Sequence, residues 1–116
     1  MKSEIVISVE LDEQKQPVDI VWTAESPQGP QTRNSKAMLL SLFDKENLET
    51  FKIDLWTKDM QVAEMDRLMF HTLRALTETY YNSTKNEELA SQMKSFVDHF
   101  GQFTKIIPVD DSSNQA

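Results

Sequence analysis

Four stretches in the first half of the chain have the apolar and polar pattern of β-strands. In residues 5–11 every second residue is Ile, Val or Leu, so one strand face carries a continuous apolar row. Residues 18–23 and 50–56 alternate in the same way, and the dense apolar run of residues 37–43 is short enough for a further strand. These stretches together predict a four-stranded antiparallel sheet.

A polar segment, residues 24–34, separates the second predicted strand from the third. It contains two prolines, one glycine and no large apolar side chain. Proline and glycine favour turns, and nothing in this segment could fix it to a core. We therefore expect a mobile loop here.

Beyond residue 59 the apolar residues recur at three- and four-residue steps, as in α-helices. The first predicted helix ends near Asn82, and Asp59 or Thr57 can cap its first amides. The second begins after Thr84 and is predicted to end at Gly101, which tolerates the left-handed conformation. The predicted buried stripes are Val62, Met65, Met69, Leu73, Leu76 and Tyr80 in the first helix, and Leu89, Met93, Phe96 and Phe100 in the second.

Strands followed by helices indicate an α+β fold. Each predicted helix has one apolar stripe, so the simplest packing lays both helices on one face of the sheet in two layers. The length of 116 residues suits one domain with one core. We predict a single domain over residues 1–107, followed by a flexible tail over residues 108–116.

The sheet face turned away from the helices is predicted to be mixed in polarity. Val6, Val21 and Trp56 point to this face and form a candidate interaction surface. They are joined either by Leu39 and Phe43 or by Met38, Leu40 and Leu42, depending on the register of the third strand. Trp56 either fills the corner between the last strand and the first helix or lies exposed, where it would anchor an interface.

The charge of the chain limits its partners. The formal net charge is −7 and no cluster of Lys and Arg occurs, which excludes a broad electrostatic surface for nucleic acid or anionic lipid. The absence of cysteine removes disulfides and thiolate chemistry. The first residues lack a signal-peptide pattern and no stretch is apolar enough to cross a bilayer, so we expect a cytoplasmic protein without membrane insertion.

No catalytic, cofactor-binding or metal-ligating set is predicted. His71 and His99 lie on different predicted helices, and neither belongs to a metal-ligand spacing such as His-x3-His, which favours packing or surface histidines. The two glycines, Gly29 and Gly101, cannot form a phosphate-binding loop. We therefore expect no enzymatic activity and no cofactor.

One string at the predicted strand-to-helix corner is long and unusual in composition. It consists of Asp54, Leu55, Trp56, Thr57, Lys58, Asp59 and Met60. With this string, Trp22 and residues 36–39, the chain resembles the gliding motility protein GldC family of Bacteroidota. The resemblance implies a small soluble accessory protein of the gliding machinery, linked to type IX secretion, without enzymatic activity or cofactor. The string would then hold a shared structural or binding role.

Three functional hypotheses follow. The first is an adaptor that offers the outer sheet face or an exposed sheet edge to a protein of the motility machinery or to a second copy as a homo-oligomer. The second is a holder of unfolded polypeptides, by analogy with small acidic secretion chaperones. The third is a small-molecule binder with a pocket between sheet and helices.

Overall fold

Five strands and two helices make up the described part of the chain, residues 1–108, in a computed structural model. The chain forms two compact units. We call Met1–Met60 the sheet unit and the part from Gln61 onward the helical unit. The tail predicted from residue 108 lies outside the described residues from residue 109 on. The elements are β1 (Ile5–Leu11), β2 (Pro17–Ala24), β3 (Gln31–Ser35), β4 (Ala37–Phe43), β5 (Thr50–Trp56), α1 (Val62–Thr84) and α2 (Glu87–Phe103).

The prediction of one four-stranded sheet is wrong, because the strands form two antiparallel sheets. β1, β2 and β3 pair in that order, whereas β4 pairs with β5. Only Lys36 separates β3 from β4, which leaves too few residues for a hairpin turn between them. The chain therefore leaves the first sheet and begins the second one at this residue. The α+β class and the antiparallel pairing are confirmed.

β3 lies in the segment that was expected to be a loop. Its side chains are polar and carry no apolar alternation, so no pattern marks it as a strand. Side chains on β2 hold it in place instead. The hydroxyls of Thr23 and Thr32 lie 3.0 Å apart, and the Asn34 amide donates to Asp19 Oδ2 at 2.8 Å. Cross-strand hydrogen bonds thus replace apolar burial here.

The inner face of the first sheet is the apolar face that the alternation predicts. Ile7 lies opposite Trp22 and Val9 lies opposite Ile20, so these four side chains share one face. Ile20 is 1% exposed and is the most completely buried large side chain of the sheet unit.

The helical unit is an α-hairpin packed around Phe70. Phe70 of α1 is 3% exposed, and Ala90, Val97 and Gly101 of α2 are buried. A Cβ atom on Gly101 would lie 2.6 Å from Phe70 Cε1 and 2.6 Å from Ile107 Cδ1. Glycine therefore lets the Phe70 ring and Ile107 pack directly on the α2 backbone.

Several helix details differ from their predictions. α1 is capped by Gln61, whose backbone N–H donates to Glu64 Oε1 at 3.0 Å. Gly101 lies inside α2, and the left-handed residue after that helix is Lys105, with φ 64°. The buried stripes were also misplaced, as Leu76 and Phe96 are 51% and 54% exposed. No helix within residues 1–108 is long and apolar enough to span a membrane.

Candidate interaction surfaces

The string Asp54–Met60 forms the end of β5 and a hydrogen-bonded corner that follows it. The Thr57 N–H donates to the Lys36 carbonyl at 2.7 Å, and the Lys58 N–H donates to the Pro17 carbonyl at 3.0 Å. Thr57 is 3% exposed, and its hydroxyl donates to Asp59 Oδ1 at 2.5 Å. The corner thus ties the end of β5 to the start of both β2 and β4, which gives this part of the string a structural role.

Asp12 joins this corner to the turn between β1 and β2. Its Oδ1 accepts hydrogen bonds from the backbone N–H groups of Gln14 and Gln16, each at 2.9 Å. Its Oδ2 accepts one from Lys58 Nζ at 2.9 Å. One carboxylate therefore satisfies the turn and the corner at once, although the residues involved are 46 positions apart in sequence.

The pKa of Asp12 lies below its ordinary value of 3.8, chiefly because Lys58 donates to the carboxylate and secondarily because the Gln16 N–H does. A lowered pKa means that the charged form is favoured by folding. Its stabilising contribution is present above pH 3.8 and is lost as the pH falls through the lower folded value.

We expect Lys58→Met to raise the pKa of the Asp12 carboxyl toward 3.8, as followed by carbon NMR of the side chain during an acid titration. Asp44 provides the matched control, because its pKa is lowered by the N–H groups of Asn47 and Glu46 and not by a cation. The Asp44 midpoint should stay unchanged in the variant. An unchanged Asp12 midpoint would show that Lys58 does not set its pKa.

The three residues predicted as an outer surface lie in two sheets. Val6 and Val21 share a face of the first sheet, opposite Thr23 and Ser8 respectively. Val6 is 52% exposed, and the same face carries the Thr23–Thr32 and Asn34–Asp19 hydrogen bonds. Trp56 belongs to the second sheet, where it lies opposite Ala37. The structure therefore does not bring Trp56 onto the face of the two valines.

Trp56 is exposed and does not fill the corner. It is 52% exposed, on a strand face that also carries Leu39, Phe43 and the ion pair between Lys52 and Asp54, whose charged atoms lie 3.2 Å apart. This register selects Leu39 and Phe43 as the neighbours on its face. Trp56 thus presents a large aromatic side chain to solvent, as interface anchors do.

The opposite face of the β4–β5 hairpin is apolar throughout, and its outer end is uncovered. Leu42 and Phe51 form a cross-strand pair beside the turn and are 54% and 61% exposed. In the alternation of residues 50–56, Phe51 shares a row with Ile53 and Leu55, which predicts burial, but alternation assigns a face and not a depth of burial. The position of Phe51 next to the turn was the one sequence signal of its exposure. The apolar face consists of Met38, Leu40, Leu42, Phe51, Ile53 and Leu55.

The turn of this hairpin presents a further apolar side chain. Leu48 has φ 61° and is 64% exposed, although a branched side chain disfavours that conformation. Asp44 Oδ2 accepts from the N–H groups of Glu46 and Asn47, and the Asp44 carbonyl accepts from the Leu48 N–H at 3.2 Å. A hydrogen-bonded turn thus holds an exposed leucine at the end of the hairpin that carries Leu42 and Phe51.

The histidines lie among aromatic neighbours. His71 contacts the Phe70 ring at a centroid distance of 5.2 Å, and His99 contacts the Phe103 ring at 6.0 Å. Within residues 1–108, no three His, Asp or Glu side chains group as metal ligands do.

Each unit has concave sites. In the sheet unit, a cavity of about 280 Å³ is lined by Ile5, Ile7, Ile20, Trp22, Ser35 and residues 37–40. Pockets for small molecules usually measure about 300–1,000 Å³, so this one is at the lower limit. The helical unit has a cavity of about 440 Å³ that includes Phe70, Val97 and the ion pair between Lys94 and Asp98.

A family comparison adds to this geometry. A family model described as "Gliding motility-associated protein GldC-like" matches residues 17–106. The match includes the corner string, the β4–β5 hairpin and both helices. No curated protein and no solved structure matches the chain.

Proposed function

Because this chain belongs to the GldC-like family of gliding motility-associated proteins, we propose that it is a non-enzymatic accessory protein that binds another protein of the gliding machinery. The proposal includes the link to type IX secretion and a cytoplasmic location without membrane insertion. It requires no cofactor and no nucleic acid. Its mechanism is the addition of a partner strand to β5.

The observation that carries this proposal is the free edge of β5. Within residues 1–108, β5 pairs with β4 alone, so the backbone groups along its other edge have no strand partner. Two-stranded sheets gain stability when a further strand is added. An unpaired edge is also the part of a sheet onto which an extended peptide adds.

The side chains of β5 suit this mode of binding. Phe51 and Trp56 lie on opposite faces of the strand, because an odd number of positions separates them. Both are more than half exposed, at 61% and 52%. An added strand would place its own side chains beside Phe51 on one face and beside Trp56 on the other. We therefore expect an extended partner segment with apolar residues on both faces.

The Trp56→Ala variant tests the proposal in affinity purification from a gliding bacterium, because aromatic anchors contribute most to interface affinity. The wild-type chain should recover a component of the gliding machinery, and Trp56→Ala should lower its recovery by about tenfold or more. The matched control is Leu76→Ala, which shortens a side chain that is equally exposed, at 51%, on α1.

Two outcomes would oppose the proposal. Equal recovery of the component by both variants would show that Trp56 is not part of the docking site. Loss of the component from Val6→Ala but not from Trp56→Ala would instead assign binding to the outer face of the first sheet.

A second candidate function is a holder of unfolded chains, favoured by the exposed apolar side chains on β1 as well as β5. Ile5 and Leu11 are 72% and 50% exposed. Such a holder would suppress aggregation of an unrelated denatured client, whereas a dedicated adaptor would not. The aggregation assay therefore separates the two functions.

A further inference from the structure

α2 has two different apolar faces. Ala90, Val97 and Gly101 are buried, whereas Leu89, Phe96 and Phe103 are 42%, 54% and 80% exposed. At 100° per residue, the exposed residues form a row about 120° away from the buried ones. Met93 and Phe100 are half-buried and lie in the same row. We call these five residues the α2 stripe: Leu89, Met93, Phe96, Phe100 and Phe103.

The spacing of the α2 stripe is that of a helix-pairing seam. Its exposed members are seven residues apart, and Met93 and Phe100 repeat the same interval. A seven-residue apolar repeat lets a helix keep contact with a second helix along its length. The rings are already grouped, with centroid distances of 6.3 Å between Phe96 and Phe100 and 6.0 Å between His99 and Phe103. From these features we propose that the stripe docks a second copy of this chain.

The charges of α2 favour a second copy as the occupant. The chain carries a net charge of −7, so two copies repel each other over most surfaces. Within residues 89–103, the outer border of the stripe consists of Gln92, Ser95, His99 and Gln102 and contains no Asp, Glu, Lys or Arg. The charged residues in this span, Lys94 and Asp98, pair with each other at 3.0 Å on the other side of the helix. Two acidic chains can therefore meet at this stripe without placing like charges together.

The same residues select an antiparallel arrangement. Phe96 lies midway between Leu89 and Phe103, so a twofold axis at Phe96 places the Leu89 end of each helix against the Phe103 end of the other. Glu88 of one copy then lies near Lys105 of the other, which follows α2 by two residues. A parallel arrangement would bring the acidic first turns, with Glu87 and Glu88, next to each other.

The exposed aromatic area of the α2 stripe indicates the size of this interface. A phenylalanine side chain presents about 200 Å², so the exposed fractions of Phe96 and Phe103 amount to about 270 Å² per copy. Both copies together contribute about 540 Å² from these rings alone, and Leu89 and the border residues add to it. The ring area alone is below the about 1,000 Å² that a stable interface needs, so we expect a weak, transient dimer with a dissociation constant in the micromolar range.

Sedimentation velocity on the full chain between about 1 and about 500 μM tests the proposal, because this range brackets a micromolar dissociation constant. The wild type should pass from monomer to dimer. Phe96→Glu should weaken the dimer by about 30-fold or more, since it removes the central anchor and introduces facing like charges. Leu76→Glu is the matched control, because it adds the same charge at a residue on α1 that is 51% exposed.

Charge reversal tests the antiparallel register without altering the apolar residues. Glu88→Lys and Lys105→Glu should each weaken the dimer, and the double variant should restore it, because the paired charges are then exchanged. Helical circular dichroism should be unchanged throughout. A wild-type monomer at all concentrations would overturn the proposal. Dimerisation insensitive to Phe96→Glu, or no restoration in the double variant, would also overturn it.

Discussion

Phe70→Ala should lower the free energy of unfolding of the helical unit by about 3–5 kcal/mol, the range for removal of a buried aromatic ring. Phe70 is 3% exposed, and its ring packs against the backbone of α2 at Gly101. Removal of the ring leaves a cavity that neighbouring helix backbone cannot fill. Because domains of this size are stable by only about 5–15 kcal/mol, the loss should be visible as a large shift in urea denaturation followed by helical circular dichroism.

Phe43→Ala is the matched control for this change. It removes the same ring from a residue that is 69% exposed on β4. Exposed substitutions usually change stability by less than about 0.5 kcal/mol, so its denaturation midpoint should stay close to that of the wild type. Equal destabilisation by both variants would show that Phe70 is not the centre of the helical unit.

The importance of Phe70 could not be predicted from periodicity alone. The three- and four-residue pattern of α1 marks the row from Val62 to Tyr80, and Phe70 lies about 100° from its centre. Val62, at the start of that row, is 81% exposed. The face of α1 that packs against α2 differs from the face that the apolar periodicity marks. Only the tertiary contacts identify the packing face. The same reason explains why four residues of the α2 stripe, Leu89, Met93, Phe96 and Phe100, are predicted to be buried.

The strands were predicted better than their pairing. Alternation located β1, β2 and β5, and a short apolar run located β4, because each strand carries an apolar row on one face. It missed β3, whose place depends on the hydrogen bonds that the side chains of Thr32 and Asn34 form with side chains of β2. The division into two sheets follows from the single residue between β3 and β4. No local pattern encodes that change of partner.

The resemblance to the GldC family was confirmed by the family match over residues 17–106. The string that carried it marked a real structural feature, the corner at Thr57 and Lys58. How this corner is held together could not be predicted, because the ion pair between Lys58 and Asp12 joins residues 46 positions apart in sequence. The exposure of Trp56 was one of two alternatives left open by the strand pattern. The exposure of Phe51 could be recognised only from the structure, because it depends on which other residues cover that end of the hairpin.

We propose that the chain serves gliding through a docking edge on β5 and not through side-chain chemistry. Phe51 and Trp56 are the two large exposed residues of that strand, at 61% and 52%. We expect their joint replacement, Phe51→Ser with Trp56→Ala, to abolish or strongly reduce gliding. Each removes an aromatic anchor, and interface anchors often contribute about 2 kcal/mol or more.

The most direct test is the gliding speed of cells in which the chromosomal copy of this gene carries the paired β5 variant. These cells should contain wild-type amounts of folded protein yet not glide, whereas cells with His71→Ala should glide at the wild-type speed. Normal gliding by the β5 variant, or loss of gliding in the histidine variant at wild-type protein levels, would overturn the proposed role of β5.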